Sequence, residues 1–460
     1  MIGALFRLGE QKVRPNVYVR WYNDGEPSTA GGSTGIAAAV IKTNWGPLNE
    51  IIKIERIGQV DNKLGVSHGS EVVKETFRGG ASNVMTVRAG TGGSKPQGTL
   101  SDVATLTAKY PTSRKFNVTI REALNETEKE FILYEGSRQI ERLVFEKGAD
   151  EVNNLIDVIN SSSQFLDASE SGGVGTTIDP VTGALIENGE DPTVTAEDYV
   201  NAFNVIELKF FDGICVDSED PAIHASLQAF VQRKLQEGFR CQTVVGEKVS
   251  VPFSTRIQNA RSFNDFIVTY VGNGFSTATD NLDGARAAAR VLGMMVSSNY
   301  KTSLTKKTIQ GSVGVYGELT STQYKEAAQN GMMVFSESVE GLAQIDYGIN
   351  TLIITDEEID QGWTKIRRVK TRFELIDRIA HTLANAMREE IDNNEDGRQH
   401  VITIANGIIN NMISEGGLER GQLIIDPDNA ASGDSAWFKF DNLIDLDGIE
   451  KLYIAFGFRH

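Results

Sequence analysis

Between residues 13 and 22 the chain reads Val-Arg-Pro-Asn-Val-Tyr-Val-Arg-Trp-Tyr, which puts Val17, Val19 and Trp21 on one side of an extended segment and Tyr18, Arg20 and Tyr22 on the other. That alternation predicts a strand. The polar, glycine-rich stretch 23–35 that follows reads as a flexible tether, able to span on the order of 40 Å when extended, so the strand is not bound to pair within its own domain. A compact pattern then begins, with strands over 36–41, 50–57 and 84–88, a turn at Asn44-Trp-Gly-Pro47 and a helix over 70–77. From residue 205 strands and helices alternate: a strand over 206–216, a helix capped by Asp220 with Pro221 at its first position, strands over 240–245 and 265–271, and a helix over 281–297. This order favours a parallel sheet with helical cover.

Between these two parts, 99–205 carries short alternating runs and predicts a small β-rich domain inserted into a larger one, with the glycine-rich, acidic stretch 169–191 as a mobile outer loop. Further on the pattern gives a strand over 313–316, a helix over 321–329, and strands over 332–336 and 347–355. A long amphipathic helix then carries Val369, Phe373, Ile376, Ala380, Leu383, Met387 and Ile391 on one stripe. A second helix over 400–413 uses Ile404, Ile408 and Met412. At the end Leu452, Ile454, Phe456 and Phe458 alternate with Tyr453, Ala455 and Gly457, a second strand-like terminus. The expected fold is multidomain, α/β and α+β. It comprises an N-terminal arm and tether (1–34), a first α/β core part (35–97), the β-rich insertion (98–204), an α/β domain (205–345) and a C-terminal core domain with its strand arm (346–460).

Composition narrows the function. Lysine and arginine total 45 against 62 acids, a net charge of −17, so the chain repels phosphate backbones and anionic lipid, and a nucleic-acid coat or a membrane-surface role is not expected. Two cysteines, Cys215 and Cys241, and five scattered histidines offer neither a disulfide framework nor metal-ligand spacing, and no cofactor is implied. The apolar start Met1–Phe6 stops at Arg7, short of a signal-peptide core, and no run approaches the ~20 apolar residues of a membrane span, so folding in a reducing cytoplasm is expected. Three short motifs imitate chemistry. Gly31-Gly-Ser-Thr-Gly35 has the letters of a nucleophile elbow but lies in a tether. Gly90-Thr-Gly-Gly-Ser-Lys95 has the wrong spacing for a phosphate loop and is followed by Pro96. Asp392-Asn-Asn-Glu-Asp-Gly397 begins like a calcium loop, but its twelfth position is Thr403. No histidine, cysteine or serine forms a recognisable arrangement with a carboxylate pair, so an enzyme is not expected.

The largest local reversal of charge is Lys365, Arg367, Arg368, Lys370 and Arg372, at the start of the long helix. Cations there oppose the helix dipole by some tenths of a kcal/mol each, so something should compensate. Extending the apolar stripe backwards puts Arg367, Arg368 and Lys370 away from the core and Lys365 and Arg372 at its border, a small patch suited to an acidic protein partner.

Several stretches, in this order and spacing, resemble one family: Arg14-Pro-Asn-Val-Tyr-Val19; Gly35-Ile-Ala-Ala-Ala-Val-Ile with Asn44-Trp-Gly-Pro47; Glu75-Thr-Phe-Arg-Gly-Gly-Ala81; Ala289-Arg-Val-Leu-Gly293 running into Lys301-Thr-Ser-Leu-Thr305; Leu319-Thr-Ser-Thr-Gln323 with Asn330-Gly331; Gly348-Ile-Asn-Thr-Leu352; and Glu450-Lys-Leu-Tyr-Ile454. They are similar to the tail sheath proteins of contractile bacteriophages and phage-like contractile injection systems, of the type found in Gram-positive hosts. The resemblance implies stacked hexameric rings around an inner tail tube protein, with baseplate and tail terminator proteins at the ends, in a virion tail or phage-like particle assembled in the bacterial cytoplasm. It implies strand exchange between subunits, through Val17, Tyr18, Val19 and Trp21 at one end and Leu452, Tyr453, Ile454 and Phe456 at the other. It also implies tube contacts in the C-terminal core, which makes Lys365, Arg367, Arg368, Lys370 and Arg372 the candidate tube-facing patch. The rival readings are a non-contractile tube or capsid-like virion protein and an α/β enzyme.

Overall fold

The computed structural model describes residues 4–5, 18–19, 35–172, 177–356, 359–389, 391–448, 450–453 and 455. Its centre is a seven-stranded sheet in the order Met332–Met333, Val268–Val271, Gln242–Gly246, Gly213–Val216, Ile36–Ile41, Asn83–Arg88, Ile51–Ile54. Neighbouring strands are parallel except for the last pair, Asn83–Arg88 with Ile51–Ile54, which is antiparallel. The middle strands are continuous apolar runs because both faces are covered: every residue of Gly213–Val216 and of Val268–Val271 is buried.

On one face lie the helices His68–Gly79 and Gly284–Ser297, on the other Ala196–Ile206, Pro221–Gln236 and Phe253–Phe263, each face with its own apolar core. The caps foreseen in the sequence form, with Asp220 Oδ1 accepting from Ala222 N at 2.8 Å beside Pro221. Small residues at Ala37, Ala38 and Ala39, all fully buried, let the helices come close to the sheet.

Two expected strands are corrected. Residues 196–206 form a helix, because Tyr199, Ala202, Phe203 and Ile206 recur at helical spacing and Thr195 with Asp198 makes a capping box; the strand begins only at Gly213. Among the described residues the stretch 347–355 forms no strand and one bridge, Ile349–Lys365, with Thr351 N donating to Val268 O at 2.9 Å. Side chains replace the ladder there: Thr351 Oγ1 donates to Asp265 O at 2.9 Å, and Asn264 Oδ1 accepts from the amides of Ile353 and Ile354 at 3.0 and 2.8 Å.

Residues 97–186 build a four-stranded and a three-stranded sheet with the helix Glu151–Ser162 and a separate core. The stretch expected to be a mobile loop contains the strand Val181–Ile186, paired with Phe116–Glu122, and its end Ile186 is buried. Trp45, from the turn at 44–47, plugs this second core against Tyr110, Phe116 and Phe165, with the Arg114 guanidinium 4.9 Å above its ring. Arg88 ties the same junction, donating to the carbonyls of Thr43, Gly46 and Pro111 at 2.8, 2.7 and 3.0 Å.

The C-terminal part holds the helices Ile366–Ala386 and Glu395–Ser414, followed by a hairpin of Leu418–Ile425 and Phe438–Asp445 that the sequence pattern did not reveal. Leu375, Ile379, Ile409, Met412 and Leu418 close around Tyr300 to form its core. Asp392–Gly397 is a helix-capping turn, with Asn394 Oδ1 accepting from Gly397 N at 2.8 Å. At the N-terminus Tyr18–Val19 pairs in parallel with Ala4–Leu5, which lies against the Pro221–Gln236 helix. Val17, Trp21, Ile454 and Phe456 of the expected arms lie outside the described residues.

Candidate functional site

A parallel sheet of this kind offers a ligand crevice at the carboxyl ends of its strands. Protein fills that space beside the Ile36–Ile41 and Gly213–Val216 strands. Asp217 sits there buried, accepting from Tyr199 Oη at 2.6 Å and from Lys42 N at 2.9 Å. Gly69, in the first turn of the His68–Gly79 helix, packs so tightly that a Cβ would lie 2.2 Å from Lys42 O and 2.9 Å from Asp217 Oδ2. Burial pushes the Asp217 carboxyl up to about 6 despite these two donors. Burial likewise pushes the thiols of Cys215 and Cys241 up to about 12, so neither is a ready nucleophile. Among the described residues no group of three or more His, Cys, Asp or Glu is placed to hold a metal ion, and no helix is long and apolar enough to cross a membrane.

An open cleft of about 410 Å³ lies between the two C-terminal helices. Its charges pair with one another: Arg378 bonds Glu374 at 2.8 Å and both Glu415 oxygens at 3.0 Å, and Asp377 pairs with Arg240.

The basic cluster is where structure and sequence differ most. Arg368 and Lys370 do not point away from the core, and that expectation is corrected. Arg368 is 4% exposed and grips Asp445 with two bonds of 2.8 Å. Arg372 reaches the same carboxylate at 3.2 and 3.1 Å, binds Asp360 through two bonds of 3.0 Å, and lies 4.6 Å over the Trp363 ring. Gly362 makes room for both guanidinium groups, since a Cβ there would lie 2.4 Å from Arg368 Cζ. Burial opposes ionisation of Asp445, but Arg368 and Arg372 overcome it and hold the carboxyl at about 2.

Lys370 turns inward to the carbonyl oxygens of Met295 and Ser298 at the end of the Gly284–Ser297 helix, where burial pushes its amine down to about 8. Those carbonyls are orphan acceptors of a helix terminus, so the lysine acts as a cap supplied by another element. Lys365 pairs with Asp447 and, at 2.7 Å, with Glu450. Arg367 is half-buried beside Gly448, where an added Cβ would lie 2.6 Å from its Nη1. The physical reason is compensation: Lys365, Arg368 and Arg372 are paired with Asp360, Asp445, Asp447 and Glu450, and Lys370 with helix-end carbonyls. In this conformation Arg368 and Arg372 are committed to carboxylates of their own subunit.

The acids that answer the cluster, Asp360, Asp445, Asp447 and Glu450, were not singled out in the sequence, although three of them form the last acidic group before a tail rich in apolar residues. That charge complement to the one basic run was the available signal. Beyond it Leu452 and Tyr453 lie in no strand and are 73% and 89% exposed. An anchored acidic segment is thus followed by Leu452 and Tyr453, which the described residues leave uncovered.

Comparisons with known proteins fit this architecture. Residues 193–351 match the family model described as the phage tail sheath protein central domain. A sheath tail protein from Desulfitobacterium hafniense superposes with a TM-score of 0.71 at 21% identity, over 93% of this chain and 99% of that one. One from Listeria innocua gives 0.64 at 18% identity, over 93% and 97%. The helical sheath of the anti-feeding prophage in its contracted state gives 0.53 at 11%, over 97% and 99%. An uncharacterized Bacillus subtilis (strain 168) protein, YqbK, is 21% identical over 98% of this chain and 99% of its own length. Residues 193–351 are thus similar to the phage tail sheath protein central domain, and the whole chain has a fold that these solved sheath proteins share along nearly their whole length.

Proposed function

We propose that this chain is the structural subunit of a contractile tail sheath, polymerising around an inner tube and contracting to drive that tube through a target envelope. The observation that carries the reading is the sheath-type central domain lying within a fold that covers 93% of the chain in a solved sheath tail protein. The filled crevice at the strand ends and the inert cysteines favour a mechanical subunit over an α/β enzyme.

The physics needs no nucleotide. An extended lattice that is kinetically trapped stores its own driving force, and a signal from a baseplate releases it. Each subunit then moves as a stiff body, which suits the two dense cores on either face of the sheet. The links between bodies are the chain ends. Among the described residues the hairpin has two strands and so two open edges, and the exposed Leu452 and Tyr453 are suited to pairing with a neighbouring copy. Stacked hexameric rings, a tube protein, and baseplate and terminator proteins at the ends complete the assembly, in a virion tail or phage-like particle built in the host cytoplasm.

Removal of residues 1–22 tests the arm assignment. The expected product is a folded subunit that sediments as a monomer and forms no tubes by electron microscopy. Long sheaths built from the truncated chain would overturn the assignment.

A further inference from the structure

We propose that Asp445, Asp447, Gly448 and Glu450 form an ionic strap, a releasable clamp that fixes the heading of the chain at Leu452 and Tyr453. Its purpose rests on the reading of the C-terminal stretch as a neighbour-binding arm; its existence does not.

The strap ties this stretch to two separate elements, the start of the Ile366–Ala386 helix and the 303–305 loop. At its start Asp445, the last residue of the hairpin, is held by Arg368 and Arg372 of the Ile366–Ala386 helix. In its middle Asp447 meets Lys365, the residue just before that helix, and Gly448 lies against Arg367. At its end Glu450 Oε2 accepts from Lys365 at 2.7 Å, while its Oε1 accepts from Ser303 Oγ and Thr305 Oγ1, each at 2.7 Å. Thr305 Oγ1 in turn accepts from Gly348 N at 3.0 Å, so the loop that holds Glu450 is itself tied to the central domain. The Tyr347 ring stands between the Lys365 and Lys451 ammonium groups, 5.8 and 5.9 Å from them.

The geometry separates holding from binding. Glu450 is pinned by three donors, and Leu452, two residues later, is exposed. An arm anchored so close to its free part starts from one place and one heading, which lowers the entropy lost when it docks. Beyond the buried Asp445 the clamp is made of charge pairs and hydroxyl bonds at partly exposed groups. Partial exposure of Lys365 and Asp447, at 18% and 21% of their side chains, leaves salt a route to weaken it.

A nitroxide at position 453, attached through Tyr453→Cys, reads the clamp directly, because Cys215 and Cys241 are buried and do not compete for the label. In unassembled subunits the anchor at Glu450, three residues away, should hold the probe to a smaller amplitude than a free chain end allows. Glu450→Gln and Lys365→Met should each raise its mobile fraction several-fold with unchanged near-ultraviolet circular dichroism, and Lys365→Arg should restore the restriction. Equal mobility in the parent and in both folded variants, or a parent probe already moving freely, overturns the strap. Failure of the sheath reading would instead appear as absence of polymer with the probe still restricted.

Discussion

Glu75 and Arg290, 215 residues apart in the chain, meet in the interior as a bonded ion pair, with Glu75 Oε2 2.8 Å from Arg290 Nε and 2.6 Å from its Nη2. They sit where the helices His68–Gly79 and Gly284–Ser297 cross. The same crossing brings Gly79 and Gly293 so close that a Cβ on Gly293 would lie 2.1 Å from Thr76 O and 2.8 Å from Gly79 Cα. The pair is the polar half of a close helix contact and the glycines are the apolar half. Together they join residues on the two sides of the insertion into one stiff body.

Removing Glu75 leaves the Arg290 charge buried without a counter-charge, with the Gln310 carbonyl at 2.8 Å as its remaining polar partner. Glu75→Gln should therefore lower the unfolding free energy by about 3–5 kcal/mol, read by chemical denaturation, whereas replacing both residues with apolar side chains of similar volume should recover most of the loss. Glu75 also pairs with Arg78, which is partly exposed and answers only part of the charge.

Gly293→Ala tests the crossing itself. The added methyl has no flexible neighbour to push aside, because the nearest atoms are backbone. A loss of about 1–3 kcal/mol is expected, seen as a fall in Tm. An unchanged Tm would show that the helices separate more easily than the packing implies.

The acid side of the pH profile should report the strap. Asp445 titrates at about 2 in the folded chain, below its ordinary 3.8, and Glu450 is also held below its usual range: burial opposes this, but Lys365, Ser303 and Thr305 prevail. Both carboxyls have folded pKa values below their unfolded ones. Their stabilisation is complete above the unfolded values and is lost as pH falls through the folded ones, a window from roughly pH 5 to pH 2. For Asp445 the loss is about 2 kcal/mol. Asp445→Asn should flatten that limb of a stability-against-pH curve.

Lys370 has the opposite sign. Its folded pKa of about 8 lies below the ordinary 10.5, so burying the ammonium costs stability below pH 8, and the cost is relieved as pH rises from 8 towards 10.5. Lys370→Met should remove that alkaline gain, measured by denaturation between pH 7 and the onset of general alkaline unfolding.

Local chemistry was legible in the sequence and distant chemistry was not. The caps at Asp220 with Pro221, the apolar runs at 36–41 and 84–88, and the stripe from Val369 to Ala380 each act within a few residues, and each has its physical counterpart in the fold. The hairpin at 418–425 and 438–445 escaped because register shifts around Arg420 break its alternation and much of it is only half-buried. The basic cluster was read as a solvated face because charge looks exposed when its partners are unknown. Asp445 lies 77 residues beyond Arg368, and no periodicity connects them. The Trp45 turn was recognised as a turn, but its packing into the insertion depends on Phe116 and Phe165, which only the folded chain brings together.

The most direct test of the sheath assignment is cryo-electron microscopy of the chain assembled on its own inner tube, before and after triggering. The account predicts a helical stack of six-subunit rings in which the residues after Glu450 run onto a neighbouring subunit and remain paired as the rings rotate and shorten. Closed rings or shells of one fixed form, with each tail lying on its own subunit, would contradict it.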